Sequence, residues 1–380
     1  MEGIVLALFV CLILALISKY LSVPAIPFYI LAGVVLGNAG LGLVASDEIS
    51  RFFSEMGLIF LLFFMGLGLK PERIAANRSA VLVSGMIDLN INMIIGFIGA
   101  YLLGFSITES LIVASAFYIS STAMAITSLI ENRKLMFREA ETVIWLMVFE
   151  DLVLIIFLAI ISAGDQNLVL FLAKILGVLA VLYALAHYGK EFLISILDRD
   201  DELPIIFTFA AVLTTASVSI FLGVPATMMV IALGVAFATT DPDAFEQHAR
   251  PFKDVFLVVF FVFFGVTIDF SGGVNWYMIT IICLLAIVSK LISGILTGLY
   301  MHGSALSGLE IWGNTIGRGE FSIAIAVLYG SPVVGTTIAA MVIVTSIIGS
   351  FTAKYSTSLK RGILHLGRKK SPPHRVHMGR

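Results

Sequence analysis

Long apolar runs alternate with short polar interruptions along the whole chain. A run of about 20 apolar residues is the length of a helix that crosses a bilayer. Thirteen such runs can be marked, at roughly 3–21, 25–44, 52–69, 79–104, 109–130, 140–163, 167–188, 203–222, 225–240, 253–269, 275–300, 305–330 and 332–353. At Gly223-Val224-Pro225 the pattern permits either two spans or one kinked span, because proline is tolerated inside membrane helices. The expected fold is an all-α polytopic membrane protein.

Two runs are interrupted in the middle. The fifth carries the hydroxyl cluster Ser120-Ser121-Thr122, and the twelfth carries Gly313, Gly317-Arg318-Gly319 and Glu320. Both read as helices that unwind halfway, and unwound backbone at that depth must face protein or a water-filled cavity. Pairing spans 1–6 with spans 8–13 leaves the run 167–188 as a linker and makes each interrupted run the fifth of its half. An offset of seven spans inverts one half relative to the other. Matching interruptions in two inverted repeats point to a transporter site where the broken helices cross. Glycine and serine that merely allow close helix packing are the alternative.

The basic residues give a direction. With the N-terminus outside, the inner segments hold Lys19; Lys70, Arg73 and Arg78; Arg133, Lys134 and Arg138; Lys190 and Arg199; Arg250 and Lys253; and the basic tail 354–380. The outer loops hold only Arg51, while Lys174, Lys290 and Arg318 fall within spans. This positive-inside asymmetry predicts an outside N-terminus and a cytoplasmic C-terminus.

Composition excludes an ordinary soluble domain: 59% of the 380 residues are hydrophobic and 13% charged, with mean hydropathy +1.05. The net charge of -2 adds little, because the charges are sorted by side. Cys11 and Cys283 both lie in apolar runs and read as packing residues. No basic region precedes Gly3–Leu21, so a retained span is expected there rather than a signal peptide.

The candidate chemistry is a pair of acids, Glu150 and Asp151, near the centre of the run Thr142–Ala163. An ionised carboxylate at that depth costs several kcal/mol unless it is paired, hydrated or protonated, so an ion or proton site is the default reading. Adjacent helical residues point about 100° apart. One acid can therefore meet a fixed partner while the other meets a cavity. Lys290 is the candidate partner, assigned to Glu150, with Asp151 left to the cavity. Arg318 and Glu320 at the second break compensate helix ends or form a core salt bridge. Asp88, near Asn90 and Asn92, is a candidate lining for an inner funnel. Glu55 and Glu310 are expected at the interface, Lys174 is expected to snorkel, and His187, His248 and His302 are expected in inner loops.

Taken in order, Pro27–Gly42, Glu55–Leu67, Ser120–Ala125, Phe149–Leu152, Lys253–Gly265, Ser289–Leu291 and Gly317–Ser322 resemble the monovalent cation:proton antiporter-2 family of bacterial and archaeal sodium/proton and potassium/proton antiporters. The resemblance runs from residue 3 to about 353. It implies that Asp151 binds cation and proton in turn, with Lys290 facing the acidic pair and further ligands from around Ser121 and Thr122. Glu150 departs from the residues usual at its position, which leaves ion choice and stoichiometry open. The resemblance also implies a homodimer. Scaffold helices about 3–69 and 203–269 would carry core helices about 79–163 and 275–353, with 1–353 as one transport domain.

The function expected is exchange of a monovalent cation, sodium first and potassium as the alternative, for protons across the plasma membrane. Cation and proton compete for Asp151, and the core changes sides only when one of them occupies it. A passive cation channel and a sodium-coupled organic anion symporter are the rivals. A channel would need a filter motif, and the symporter a substrate-binding cation, for which Arg318 is the candidate. No enzymatic activity, cofactor or nucleic-acid partner is expected. No phosphate-binding loop and no appended nucleotide-binding regulatory domain is expected either.

Overall fold

The computed structural model describes residues 2–21, 24–37, 39–45, 47–69, 78–164, 166–268 and 275–369. Lys70 and Arg73 of the charge pattern, and residues 370–380 of the expected tail, lie outside them. Sixteen helices follow in order among the described residues: α1 (Glu2–Leu21), α2 (Ile26–Leu36), α3 (Glu48–Gly68), α4 (Arg78–Leu102), α5 (Ile107–Tyr118), α6 (Thr122–Glu131), α7 (Arg138–Ala163) and α8 (Leu168–Tyr188). They continue with α9 (Lys190–Leu197), α10 (Leu203–Leu222), α11 (Ala226–Phe237), α12 (Pro242–Thr267), α13 (Trp276–His302), α14 (Ala305–Thr315), α15 (Glu320–Tyr329) and α16 (Pro332–Lys369).

Local sequence sets many of the ends. Asp47 with Ser50, and Ser106 with Glu109, form reciprocal capping boxes at the starts of α3 and α5. Asn167, Asp241 and Asn275 cap α8, α12 and α13. Gly223 ends α10 at φ +62° and Gly303 ends α13 at φ +65°, a left-handed conformation that glycine adopts without a Cβ clash. The segment 223–225 therefore separates two helices and does not kink one.

Three expected spans changed shape, and a fourth is broken as expected. The run 25–44 is helical only to Leu36. Beyond it the amides of Leu43 and Val44 both bond the Leu36 carbonyl, turning the chain back on itself. The run 225–240 is the short α11. The run 253–269 begins earlier, at Pro242, in a stretch bearing Asp243, Glu246 and Arg250 that no hydropathy pattern would include. The run 305–330 is split by the break at 316–319. Nine helical segments among the described residues, one of them α5 and α6 taken together, are long and apolar enough to cross a bilayer, so helix length alone does not return thirteen. The last helix runs on to Lys369, so the first part of the expected tail continues it.

The order α1–α7 recurs as α10–α16, with α8 and α9 between. The same chain separation carries Arg78 to Trp276, Ile107 to Ala305 and Thr122 to Glu320, the first residues of matching helices. Contacts repeat as well: α2 packs on α12 as α11 packs on α3, and α4 on α5 as α13 on α14. Glycines make both scaffold crossings possible. A Cβ on Gly33 would lie 2.8 Å from the Cα of Gly265, and one on Gly234 would lie 3.0 Å from the carbonyl carbon of Gly66. Small residues at such crossings let membrane helices approach closely.

Contacts are dense within two groups, α1–α3 with α10–α12 and α4–α7 with α13–α16. Between the groups, α2 touches α16, α11 touches α7, and α8 lies on α11. A cavity of about 660 Å³ separates them on one side. It is lined by Lys19, Pro24 and Ala25 from the first group and by Met124, Glu131, Asn314, Gly317 and Lys354 from the second.

Candidate functional site

Two chain breaks cross at the centre of the second group. Residues 119–121 separate α5 from α6, and residues 316–319 separate α14 from α15. The Ser121 amide bonds the Gly317 carbonyl at 2.8 Å, tying one break to the other. Close approach is built in, since a Cβ on Gly319 would lie 2.6 Å from the Ser121 side chain.

Each break leaves carbonyls at the end of a half-helix without helical partners, and at this depth they need donors. The donors come from the opposite break. Ser120 Oγ donates to the Thr315 carbonyl at 2.8 Å. Arg318 donates to the Phe117 carbonyl through Nε and Nη2, at 3.0 and 2.8 Å. Its guanidinium also reaches the carbonyls of Ile316 at 2.7 Å and Ala286 at 3.2 Å. Ser120 and Arg318 occupy equivalent repeat positions, as do Phe117 and Thr315, so the two repeats satisfy each other. A buried cation at helix C-terminal carbonyls also meets their partial negative charge. Of the two roles the sequence allowed for Arg318, this is helix-end compensation. Glu320 opens α15, where an acid suits the helix N-terminus, and accepts from Ser121 Oγ at 2.8 Å.

Beside the crossing lies a buried ion cluster. Lys290 Nζ stands 2.7 Å from Glu150 Oε1 and 2.7 Å from Asp88 Oδ2, with its side chain fully buried. Asp88 Oδ1 accepts from Ser293 Oγ at 2.7 Å and from Asn92 Nδ2 at 2.9 Å. Glu150 accepts from the Ser120 amide through Oε2, while its Oε1, held by Lys290, lies 3.0 Å from Ser120 Oγ, whose single proton goes to the Thr315 carbonyl. The Lys290–Glu150 contact is thus present, but Asp88 does not line a funnel. It is 2% exposed and spends both oxygens on the cluster. A carboxylate on α4 one turn from Asn92 faces α13, and α13 presents Ser289, Lys290 and Ser293 on that side.

Asp151 is different. Its Oδ1 is buried without a hydrogen-bond partner among the described residues, as are Thr122 Oγ1 and the Tyr118 hydroxyl. Thr122 is its neighbour, and Glu150 and Glu320 lie within electrostatic reach. The site therefore sets the carboxylates Asp88, Glu150, Asp151 and Glu320 against the cations Lys290 and Arg318. Such a surplus of negative charge with unpaired oxygens attracts a cation or a proton.

Of the expected ligands, Thr122 stands beside Asp151, whereas the Ser121 hydroxyl is engaged by Glu320. Glu150 has both oxygens in use. Sequence reading missed Ser293, and named Ser120 and Asn92 without their roles. Ser120 stood within the quoted hydroxyl cluster, and Asn92 follows Asp88 by one helical turn. Glu310, expected at the interface, is buried 2.9 Å from Lys134, which had been counted as a loop charge. Ser356 and the Ala353 carbonyl complete that cluster, at 2.6 and 2.5 Å from Lys134 Nζ. His302 bonds Thr142 at 2.9 Å from the end of α13 and is not in a loop.

The family described as sodium/hydrogen exchanger, transmembrane, matches residues 4–356. The chain is 30% identical over 376 residues to the K⁺/H⁺ antiporter subunit KhtU of Bacillus subtilis (strain 168), covering 93% of each chain. It is 24% identical to the ammonium/H⁺ antiporter subunit AmhT of Alkalihalophilus pseudofirmus, over 98% of this chain and 97% of that one. The fold is similar to that of the sodium proton antiporter MjNhaP1 from Methanocaldococcus jannaschii at pH 8, with a TM-score of 0.70 at 19% identity over 96% and 97% of the two chains.

Proposed function

The chain belongs to the sodium/hydrogen exchanger family, and from that premise we propose that this monovalent cation/proton antiporter uses Asp151 as the carboxylate that binds cation and proton in turn. One observation carries the assignment. Asp151 and Thr122 have buried oxygens without partners at the crossing of two helix breaks, whereas every oxygen of Glu150 is engaged. A dehydrated monovalent cation needs several oxygen ligands. The Asp151 carboxylate and the Thr122 hydroxyl are the oxygens at the crossing left open to it. A proton on Asp151 removes the charge that holds the cation, so the two occupants exclude each other.

Obligatory exchange follows if the core crosses only with Asp151 neutralised. The unpaired carboxylate is costly in low dielectric, and either occupant removes that cost. The dense contacts within each helix group and the few between them support movement of α4–α7 with α13–α16 against the remainder. The 660 Å³ cavity opens between Lys19, Glu131 and Lys354, at ends the charge pattern places in the cytoplasm, and reaches Gly317 at the crossing. It is the approach to the site in an inward-facing state, ending at Ala123 and Gly317, short of Asp151. The proteins named above are a K⁺/H⁺ antiporter subunit, an ammonium/H⁺ antiporter subunit and, for the fold alone, a sodium proton antiporter; on the first of these we place potassium first and sodium second, the reverse of the order expected from the sequence. Two of them are named as subunits, so a partner protein belongs to the reading, as does a homodimer.

The test is pH-dye exchange in proteoliposomes, adding K⁺, Na⁺, NH₄⁺ or Li⁺ in turn. Wild type moves protons in response to at least one cation, and Asp151→Asn does not. Cation leak by tracer without proton movement would replace the antiporter with a channel.

A further inference from the structure

Lys290 is gripped by two carboxylates, and both are held in place by other groups. Asp88 is seated by Ser293 and Asn92, and Glu150 by the amide of Ser120. The Tyr118 ring covers the ammonium, its centroid 5.5 Å from Nζ. Helices α4, α5, α7 and α13 therefore all close on this one charge. Loss of a proton from Lys290 would leave Asp88 and Glu150 as two buried like charges with nothing between them, an arrangement far more costly than losing one partner of a simple pair. No such obstacle surrounds Asp151, whose Oδ1 carries no fixed donor.

We infer that Asp88 is a positioning residue that keeps Lys290 charged throughout the cycle, so that Asp151 alone changes its protonation and exchange is electroneutral, one proton for one monovalent cation. This rests on the antiport reading above. The charge balance is simple. The core crosses one way with a cation on the Asp151 carboxylate and returns with a proton on the same oxygens. The Asp88–Lys290–Glu150 cluster crosses unchanged both ways. Each crossing then moves the same charge, and the membrane potential does no work on the cycle. Were Lys290 to give up a proton whenever a cation bound, two protons would return per cation and the potential would drive transport.

The experiment uses the full chain in proteoliposomes, an imposed gradient of the cation that supports exchange, an interior pH dye, and the membrane potential clamped at several values. The wild-type rate is expected to be the same at every potential. A tenfold cation gradient is expected to be balanced by a tenfold proton gradient. Potential-driven flux, balanced by a smaller proton gradient, would overturn the inference while leaving antiport intact. No cation-dependent proton movement at any potential would remove the antiport reading and the inference with it.

Asp88→Asn adds a readout that a purely structural role would not move. With one carboxylate removed, Lys290 can release its proton. Exchange should become potential-sensitive, with the balancing proton ratio falling toward the square root of the cation ratio. If Asp88→Asn folds and remains indifferent to potential, Asp88 is not the residue responsible. If that variant does not fold, Asn92→Ala and Ser293→Ala, which loosen the seat of Asp88, should show the same trend. The wild-type clamp experiment decides the stoichiometry in either case.

Discussion

At the scale of single residues, the site separates groups that hold from groups that bind. Arg318 holds. It is fully buried and its guanidinium serves three carbonyls, those of Phe117, Ile316 and Ala286. Each orphaned buried group costs about 1–3 kcal/mol, so Arg318→Ala should lower the melting temperature of the detergent-solubilised protein sharply. Arg318→Lys should not restore it, because a point charge lacks the planar fork that reaches several acceptors. A full-stability Arg318→Lys variant would mean that only the charge is needed. This division was half legible in the sequence. The pairing of Glu150 with Lys290 could be guessed, because Lys290 was a lone cation in an apolar run and one of the two adjacent acids needed a partner. The place of Asp88 could not, because its partner stands 202 residues away on a helix whose rotation the pattern does not fix. Glu310 and Lys134 were misplaced for the same reason: 176 residues separate them, and each looked like a span-end charge.

At the scale of elements, the apolar runs located most helices because bilayer length and backbone satisfaction leave few alternatives. They failed where local chemistry overrides hydropathy. Gly37, Gly40 and Gly42 end α2 early, the last at φ +64°. Pro242, with the Asp241 cap, starts α12 in a charged stretch. The breaks were legible as interruptions, but their mutual capping by Ser120 and Arg318 was not, because it depends on how two half-helices cross. The paired glycine crossings give a direct prediction. Gly234→Val would drive side-chain atoms into the backbone of α3 at Phe63 and Gly66, and overpacking of this kind costs about 1–3 kcal/mol or more. The variant should lose folded protein on size-exclusion chromatography, whereas Gly335→Ala, with nothing within 4 Å of its added Cβ, should not. Equal recovery of both would mean that the crossing tolerates separation.

At the scale of the whole molecule, the repeat and the two contact groups set what can move. Equivalent or near-equivalent residues touch across the centre: Asn92 with Ser293, Phe117 with Arg318 and Ser121 with Glu320 are separated by 201, 201 and 199 residues. A two-fold relation between the halves produces such self-contacts, and it places the ion cluster and the crossing on the axis. Motion of one group against the other should then be blocked by a tie across the cavity. In a background without Cys11 and Cys283, Ala25→Cys with Ser350→Cys, which line the cavity from opposite groups, should lose exchange when bridged by a short bifunctional thiol reagent. Each single variant treated alike should keep it. Undiminished exchange in the bridged protein would rule out movement at this boundary.

The central claim is that a cation displaces a proton from Asp151, and proton release on binding tests it most directly. Purified protein in weakly buffered detergent solution would be titrated with K⁺, Na⁺ or NH₄⁺ while pH and heat are followed. Wild type should release about one proton per cation bound, Glu150→Gln should release at least as much, and Asp151→Asn should release none. Cation binding without proton release in wild type, or equal release from Asp151→Asn, would contradict the account.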